Sequence, residues 1–145
     1  MHVKALGHVV LNVRSQTRSE QFYAGVLGIP IAGRSERAPA TFFTLGNHHE
    51  LLIVELGPDA PVVKQPAIGL RHIAFNIGTT RDELREAKAR LEAAGLAPLA
   101  LDHGITESLY VDDPDGNLVE LYVDVSDAWK RESIAKVVRN DPLEL

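Results

Sequence analysis

The chain has 145 residues, enough for one domain with a real core, and its 45% apolar and 24% charged residues are ordinary for a globular protein. Its net charge of −5 disfavours a nucleic-acid partner, and it shows no apolar run of membrane-span length and no signal peptide, so we expect a cytoplasmic protein without nucleic-acid or membrane partners. It contains no cysteine, so any metal must be bound by histidine nitrogen and carboxylate oxygen.

The first half of the chain predicts a strand, a helix and three further strands. Apolar residues recur with a period of two in the opening segment, Ser15 is a suitable N-cap for the helix, and Gly28 is a suitable stop. Alternate residues of a strand share a face, so the last strand is expected to place His49 and Glu55 on the same side. The predicted elements are a strand over residues 6–13, a helix over 17–27, and strands over 30–34, 40–45 and 49–56.

The second half predicts the same order of elements after a proline-containing stretch without periodicity. Thr79 or Thr80 can cap its helix, whose first turn carries Asp82 and Glu83, where negative charge suits the helix dipole. Gly95 is expected to end this helix. The predicted elements are a strand over residues 70–77, the helix, strands over 96–101, 107–112 and 118–123, and a final helix over 127–138.

Two short segments of the chain are nearly alike. Residues 7–13 read Gly-His-Val-Val-Leu-Asn-Val, and residues 71–77 read Arg-His-Ile-Ala-Phe-Asn-Ile. Because one helix covers one face of a four-stranded sheet, two such βαβββ modules side by side predict an α+β fold: a curved eight-stranded mixed sheet around a concave cleft, with the helices outside. We predict a single domain over residues 1–145, composed of module 1 (4–57), a linker (58–69), module 2 (70–124) and a C-terminal helical extension (125–145).

Three residues are candidate metal ligands: His8, His72 and Glu120. The repeat makes the two histidines equivalent, and Glu120 lies within an apolar strand, where a charge is costly unless it faces water, a partner or a metal. Each residue alone is explained more simply as a core histidine or a solvent-facing glutamate, but the three together in a duplicated frame favour a metal. Two histidines and one carboxylate leave open coordination positions, as in non-haem Fe(II) oxygenases. Fe(II) is the first choice, and Mn(II), Ni(II), Zn(II) and Co(II) remain open.

The paired modules, their opening histidines and the closing Asp-Pro-Asp-Gly-Asn-Leu-Val-Glu at residues 113–120 resemble the vicinal oxygen chelate superfamily. This superfamily includes glyoxalase I, extradiol ring-cleaving dioxygenases, fosfomycin-resistance proteins and bleomycin-binding proteins. The resemblance covers residues 4–124 and is strongest to small one-domain extradiol dioxygenases. Membership alone does not fix the reaction.

His49, His103 and Tyr110 resemble residues that surround the metal in extradiol dioxygenases. The resemblance implies that His49 accepts a proton from a catechol, that Tyr110 hydrogen-bonds the bound substrate, and that His103 donates to a substrate oxygen. It implies extradiol cleavage of a catechol-type substrate by Fe(II) and O₂, as in aromatic catabolism, and a homodimer. The gap from His103 to Tyr110 is shorter than in the larger two-domain enzymes, which leaves the position of His103 open.

Glu55 supports an alternative. Residues 53–56, Ile-Val-Glu-Leu, resemble a ligand strand of glyoxalase I, and the repeat is expected to make Glu55 the mirror of Glu120. Four protein ligands leave two octahedral positions, too few for a bidentate catecholate plus dioxygen, so the number of ligands discriminates a glyoxalase I-like lyase or isomerase from a dioxygenase. A third class, a drug- or metabolite-binding resistance protein on the same scaffold, is least favoured because the metal-ligand residues are present. Whether the site lies within one chain or is shared between two is open.

Overall fold

The computed structural model describes residues 1–63 and 66–145 and divides into two compact units, Met1–Ala67 and Ile68–Leu145. The part of the predicted linker at Lys64 and Gln65 lies outside the described residues. No helix in the described ranges is long and apolar enough to cross a membrane.

The first unit is a four-stranded mixed sheet with one helical segment. The sheet order is β1-β4-β3-β2, with β1 parallel to β4 and the other neighbours antiparallel. The buried side chains of Leu51 and Ile53 lie on one side of the central strand β4, and Tyr23 of the helical segment is also fully buried. The elements are β1 (Val9–Val13), α1 (Gln16–Glu20), which continues as a π-helical segment (Gln21–Val26), β2 (Ile31–Arg34), β3 (Ala40–Phe43) and β4 (Leu51–Glu55).

The second unit is a five-stranded mixed sheet with one long helix. The sheet order is β5-β8-β7-β6-β9, with β5 parallel to β8 and the other neighbours antiparallel. The elements are β5 (Ile73–Gly78), α2 (Arg81–Ala93), β6 (Leu99–Asp102), β7 (Thr106–Asp112), β8 (Leu118–Asp124), a 3₁₀ turn (Ala128–Lys130), α3 (Ile134–Val137) and β9 (Asp141–Pro142).

Helix α2 is specified by its ends and by one apolar stripe. Thr80 is the N-cap, and its hydroxyl accepts from the N–H of Glu83 while the Glu83 carboxylate accepts from the N–H of Thr80, a complete capping box. The Thr80 hydroxyl, which donates to the Glu83 carboxylate, and then the N–H groups of Thr79 and Thr80 hold the pKa of Glu83 below its usual value. Leu84 and Leu91, two turns apart, are fully buried and fix the face that α2 turns toward β5, β7 and β8.

The α+β class and the two βαβββ modules are confirmed: all eight expected strands are present, four in each unit. Several boundaries differ from the predictions: β1, β5 and β6 each begin three residues later than expected, so that His8 and His72 lie just before their strands, and two further differences affect His49 and the C-terminal tail. Strand β4 begins at Leu51, so His49 lies before the strand. The predicted helix over residues 127–138 is shortened to a 3₁₀ turn and the four-residue α3, and the tail then returns to the sheet as β9, which pairs with β6.

Candidate functional site

The site in the second unit is built on one face of β7 and β8. Alternate residues of the two strands separate an apolar face from a polar one, since Leu109 and Leu121 are buried on the side of α2. Ser108, Tyr110 and Glu120 lie on the opposite side, and Tyr110 stands directly across from Glu120 in the pairing of the two strands. The sheet therefore brings a hydroxyl, a phenol and a carboxylate together.

The hairpin turn between β7 and β8 fixes this pairing. The buried carboxylate of Asp113 accepts from the backbone N–H groups of Asp115 and Asn117, both at 2.8 Å, and from the Asn117 side-chain amide at 2.9 Å. Gly116 has a φ of +83°, a conformation that other residues rarely adopt. The Asp-Pro-Asp-Gly-Asn sequence thus acts as a turn that aligns Tyr110 with Glu120.

Glu120 is the buried acid of the site. Only 7% of the residue is exposed, one carboxylate oxygen accepts a 2.6 Å hydrogen bond from the Ser108 hydroxyl, and the other lies 3.0 Å from Nε2 of His72, immediately before β5. A buried carboxylate is costly without compensation, and an adjacent imidazole nitrogen makes an N,O donor pair. Such a pair suits Fe(II), Mn(II), Ni(II), Co(II) or Zn(II), so the residues present fit a divalent metal.

Tyr110 and His103 adjoin this acid. Nε2 of His103 lies 2.9 Å from the Tyr110 hydroxyl and 4.0 Å from the nearer carboxylate oxygen of Glu120. Burial, followed by the negative charge of Glu120, raises the pKa of the Tyr110 hydroxyl well above its usual range, so the phenol stays protonated at neutral pH. Four of the residues predicted from the sequence, His72, His103, Tyr110 and Glu120, therefore lie together in the second unit.

A cavity of about 500 Å³ opens beside these residues. Its wall includes His72 and Tyr110 at the site and three leucines from the sheet. The residues that line it are Arg71, His72, Ala97, Leu99, Leu101, Tyr110, Val111, Asp112, Leu118 and Asn140. Apolar and polar residues contribute equally to this lining, and the volume is large enough for a small molecule.

The first unit holds a second group of predicted residues. The ligand atoms of His8, His48 and His49 lie within 4.8 Å of one another, and the rings of His8 and His49 are 4.4 Å apart. Burial first, and then the charges of His48 and His8, lower the pKa of His49, so that its imidazole is neutral at pH 7. The sequence interpretation missed His48, whose signal was only its position beside His49 in a pair of histidines.

Glu55 has a different position from the one expected. Its carboxylate accepts a 2.6 Å hydrogen bond from the backbone N–H of Gln16, at the first residue of α1. Glu120 pairs with the second residue of β5, and the second residue of β1 is Val10, which pairs with Leu52. The repeat therefore makes Leu52 the mirror of Glu120, and the expectation that Glu55 is its mirror was wrong, because sequence alignment of the halves did not reveal the strand register.

The Glyoxalase/Bleomycin resistance protein/Dioxygenase superfamily model matches residues 5–121. The chain belongs to this superfamily. Similar members include catechol-2,3-dioxygenase of Bacillus subtilis, 37% identical over 88% of this chain and 44% of that protein, and a probable lactoylglutathione lyase of Synechocystis, 30% identical over 79% of this chain and 91% of that protein. The chain spans about half the length of the first dioxygenase relatives that it matches.

The fold of this superfamily member is also shared with solved structures. The fosfomycin resistance protein FosX of Listeria monocytogenes superposes with a TM-score of 0.71 over 91% of this chain and 99% of that one, at 22% identity. This likeness concerns the fold alone. The named activities among the sequence relatives are those of dioxygenases, a lyase and an epimerase.

Proposed function

We propose that this protein is a metal-dependent dioxygenase that cleaves the ring of a catechol-type substrate in the extradiol position, using Fe(II) and O₂. The observation that carries the proposal is the cluster of His72, Glu120, Tyr110 and His103 on one sheet face beside a cavity of about 500 Å³. The 37% identity to catechol-2,3-dioxygenase of Bacillus subtilis supports it.

His8, His72 and Glu120 are the proposed metal ligands. Their two imidazoles and one carboxylate would leave three octahedral positions, which suits a bidentate catecholate and dioxygen. When bound, Fe(II) would bring substrate and oxygen together and stabilise negative charge on the substrate oxygens. The hydrogen bond from Ser108 orients the Glu120 carboxylate and satisfies the oxygen that does not face His72.

The remaining residues handle the substrate and its protons. His49, neutral at pH 7 because its pKa is lowered, is the proposed acceptor of a catechol proton. Tyr110, kept protonated, places its hydroxyl for a hydrogen bond with the substrate, and His103 holds that hydroxyl in position. The leucines of the cavity offer an apolar surface against which the ring of the substrate can pack. We further propose that the protein acts as a homodimer, which sedimentation equilibrium would establish.

A glyoxalase I-like lyase or isomerase is the second candidate, because the probable lactoylglutathione lyase of Synechocystis is 30% identical. It requires Glu55 as a fourth ligand. One oxygen of the Glu55 carboxylate accepts from the backbone N–H of Gln16, which orients this side chain toward the start of α1, and Leu52 stands at the position that mirrors Glu120. These two observations favour three protein ligands and hence the dioxygenase.

The test is anaerobic reconstitution with Fe(II), addition of a panel of catechols, and admission of oxygen. A yellow ring-opened product is expected from the wild type and from Glu55→Gln, and none from Glu120→Ala. Isomerisation of the methylglyoxal–glutathione hemithioacetal with Ni(II) or Zn(II), combined with no product from any catechol, would instead establish the second candidate. Loss of metal binding in Glu55→Gln would contradict the three-ligand site.

A further inference from the structure

The C-terminal segment of residues 137–143, here called the strap, lies outside the repeat but is hydrogen-bonded to β6 and to His103 of the site. The backbone N–H of Arg139 donates to the carbonyl of His103 at 3.1 Å, and the N–H of Leu143 donates to the carbonyl of Ala100 at 3.2 Å. The guanidinium of Arg139 forms an ion pair with Asp102. The strap is therefore held along β6 by backbone bonds and by one charge pair.

A glycine at position 104 leaves space for the backbone of the strap. Gly104, next to His103, has a φ of +83°, and a Cβ there would collide with the backbone carbonyl of Val137. Any side chain at position 104 would therefore be strained and would push the strap away. A residue of the strap, Asn140, also lines the cavity, so the strap contributes to the pocket wall as well.

The strap presents one backbone carbonyl to the ring of His103. The carbonyl oxygen of Arg139 lies 3.2 Å from Nδ1 of His103, and on the other side of the ring Nε2 lies 2.9 Å from the Tyr110 hydroxyl. A carbonyl can only accept a hydrogen bond, so Nδ1 must carry the proton. A neutral imidazole has a single N–H, which leaves Nε2 as an acceptor for the hydroxyl proton of Tyr110.

The alternative tautomer would reverse the hydrogen bonds of the site. With the proton on Nε2, His103 would donate to the oxygen of Tyr110, and Tyr110 would be free to donate its own proton to Glu120, which stands directly across from it in the pairing of β7 and β8. Glu120 would then share a lone pair with a phenol instead of keeping it for a metal. The Arg139 carbonyl selects against this arrangement, because it would be left without a donor.

We propose that the carbonyl of Arg139 is a positioning group of the site: the strap fixes the Nδ1–H tautomer of His103, which directs the Tyr110 proton away from Glu120. The part of this inference that concerns catalysis rests on the proposed function. The hydrogen-bond directions do not, and they can be measured in protein that turns over no substrate.

The experiment is a long-range ¹H–¹⁵N correlation spectrum of the ¹⁵N-histidine-labelled full chain, metal-free and Zn(II)-loaded, at a pH where histidines are neutral. His103→Gln assigns the resonances. The spectrum is expected to show His103 as a single Nδ1–H tautomer. An Nε2–H tautomer in the wild type would overturn the proposal.

Variants of the strap provide the second arm. Arg139→Pro removes both the N–H that bonds to His103 and the guanidinium, and Gly104→Ala inserts a methyl group under the strap. Both are expected to lower the Nδ1–H fraction and, because Glu120 then shares a lone pair with Tyr110, to weaken Zn(II) affinity and reduce turnover, each about 10-fold, the scale of an outer hydrogen-bond partner. Glu144→Pro, which places a proline in the same tail beyond the strap, is the control and is expected to keep the wild-type spectrum and turnover.

The outcomes separate the two proposals. Should Gly104→Ala fail to fold, Arg139→Pro decides, since its change lies in the exposed tail. If Arg139→Pro keeps the wild-type tautomer, the strap does not set it and the inference is wrong. If the tautomer shifts as expected but no catechol is cleaved by the wild type, the hydrogen-bond assignment stands and the dioxygenase proposal fails.

Discussion

At the scale of single residues, two buried glutamates on neighbouring strands have different roles, one in the proposed metal site and one in an ion pair. Glu120 faces His72 and Ser108, whereas Glu107 forms an ion pair with Arg81 at the start of α2. We expect Glu120→Ala to abolish Fe(II) or Zn(II) binding at the proposed site with little net change in folding stability, because removal of a costly buried charge offsets the loss of the hydrogen bond from Ser108. Glu107→Ala should keep metal binding and lower the free energy of unfolding by about 2 kcal/mol, the scale of a hydrogen bond to a charged group.

Metal content after dialysis and urea denaturation of the metal-free protein separate the two effects. The two variants are controls for each other, since each removes one buried carboxylate from adjacent strands. Retention of stoichiometric metal in Glu120→Ala would remove this residue from the ligand set.

The charge of His48 is expected to lower the pKa of His49. The pKa of His49 is lowered first by burial and then by the neighbouring charges of His48 and His8, so its neutral form persists to lower pH than in a free histidine. Removing one cationic neighbour in His48→Ala should raise the pKa of His49, which lowers the neutral fraction at a given acidic pH. The acid limb of turnover should therefore move to higher pH.

An NMR titration of the His49 ring in the metal-free protein provides a readout that needs no turnover. His2→Ala, which alters an exposed histidine elsewhere, is the control and should leave the His49 titration in place. A midpoint that stays fixed or moves to lower pH in His48→Ala would contradict the assigned influence of His48.

At the scale of elements, the turn between β7 and β8 aligns the site. The Asp113 carboxylate accepts three hydrogen bonds from Asp115 and Asn117, and its loss leaves buried donors without an acceptor. We expect Asp113→Ala to lower the free energy of unfolding by about 1–3 kcal/mol and to weaken metal binding, because the pairing of Tyr110 with Glu120 loosens. Asp115→Ala keeps the backbone donor at position 115 and is the control.

Calorimetric titration with Zn(II) and urea denaturation measure both effects. If Asp113→Ala loses stability but binds Zn(II) with wild-type affinity, the turn does not control the alignment of the site. Loss of the same size in Asp115→Ala would assign the effect to charge in the loop instead of the hydrogen bonds.

Most elements were predictable because each carried its own local signal. The alternation in β1, the capping box of α2 and the turn at residues 113–117 are encoded within a few neighbouring residues. The C-terminal tail was not predictable in this way. The sequence of residues 127–138 favours a helix, but contacts with β6 determine the structure of the tail. The backbone N–H of Arg139 donates to the carbonyl of His103, and the tail forms sheet hydrogen bonds as β9.

The positions of site residues were predictable where a local hairpin turn fixes the pairing of two strands. They were not predictable where they depend on the register between strands that are distant in the sequence. Tyr110, ten residues before Glu120, stands opposite it because a tight hairpin turn lies midway between them. Glu55 was placed wrongly because its equivalence to Glu120 depends on how β4 pairs with β1, which the sequence of β4 alone does not contain. His103 depends in the same way on the tail, and no local pattern indicated that Arg139 would bond to its ring.

At the scale of the whole molecule, one bound ion should couple both compact units. The proposed ligands come from the two of them, since His8 belongs to Met1–Ala67 whereas His72 and Glu120 belong to Ile68–Leu145. A metal at 100 times its dissociation constant stabilises the form that binds it by about 2.7 kcal/mol. Because the proposed ligands come from both units, we expect Zn(II) to slow amide exchange in β1 as well as in β5 and β8.

Hydrogen-exchange mass spectrometry of the full chain measures this coupling by segment. With one equivalent of Zn(II), we expect His8→Ala to weaken protection in β5 and β8 and to lose it in β1. Glu120→Ala is expected to lose protection in all three strands, whereas an ion held by His8, His48 and His49 alone would still protect β1 in that variant. His2→Ala, six residues upstream, should behave as the wild type. Protection confined to the second unit in the wild type would show that His8 is no ligand, since an ion that contacts one unit changes the opening free energy of that unit only.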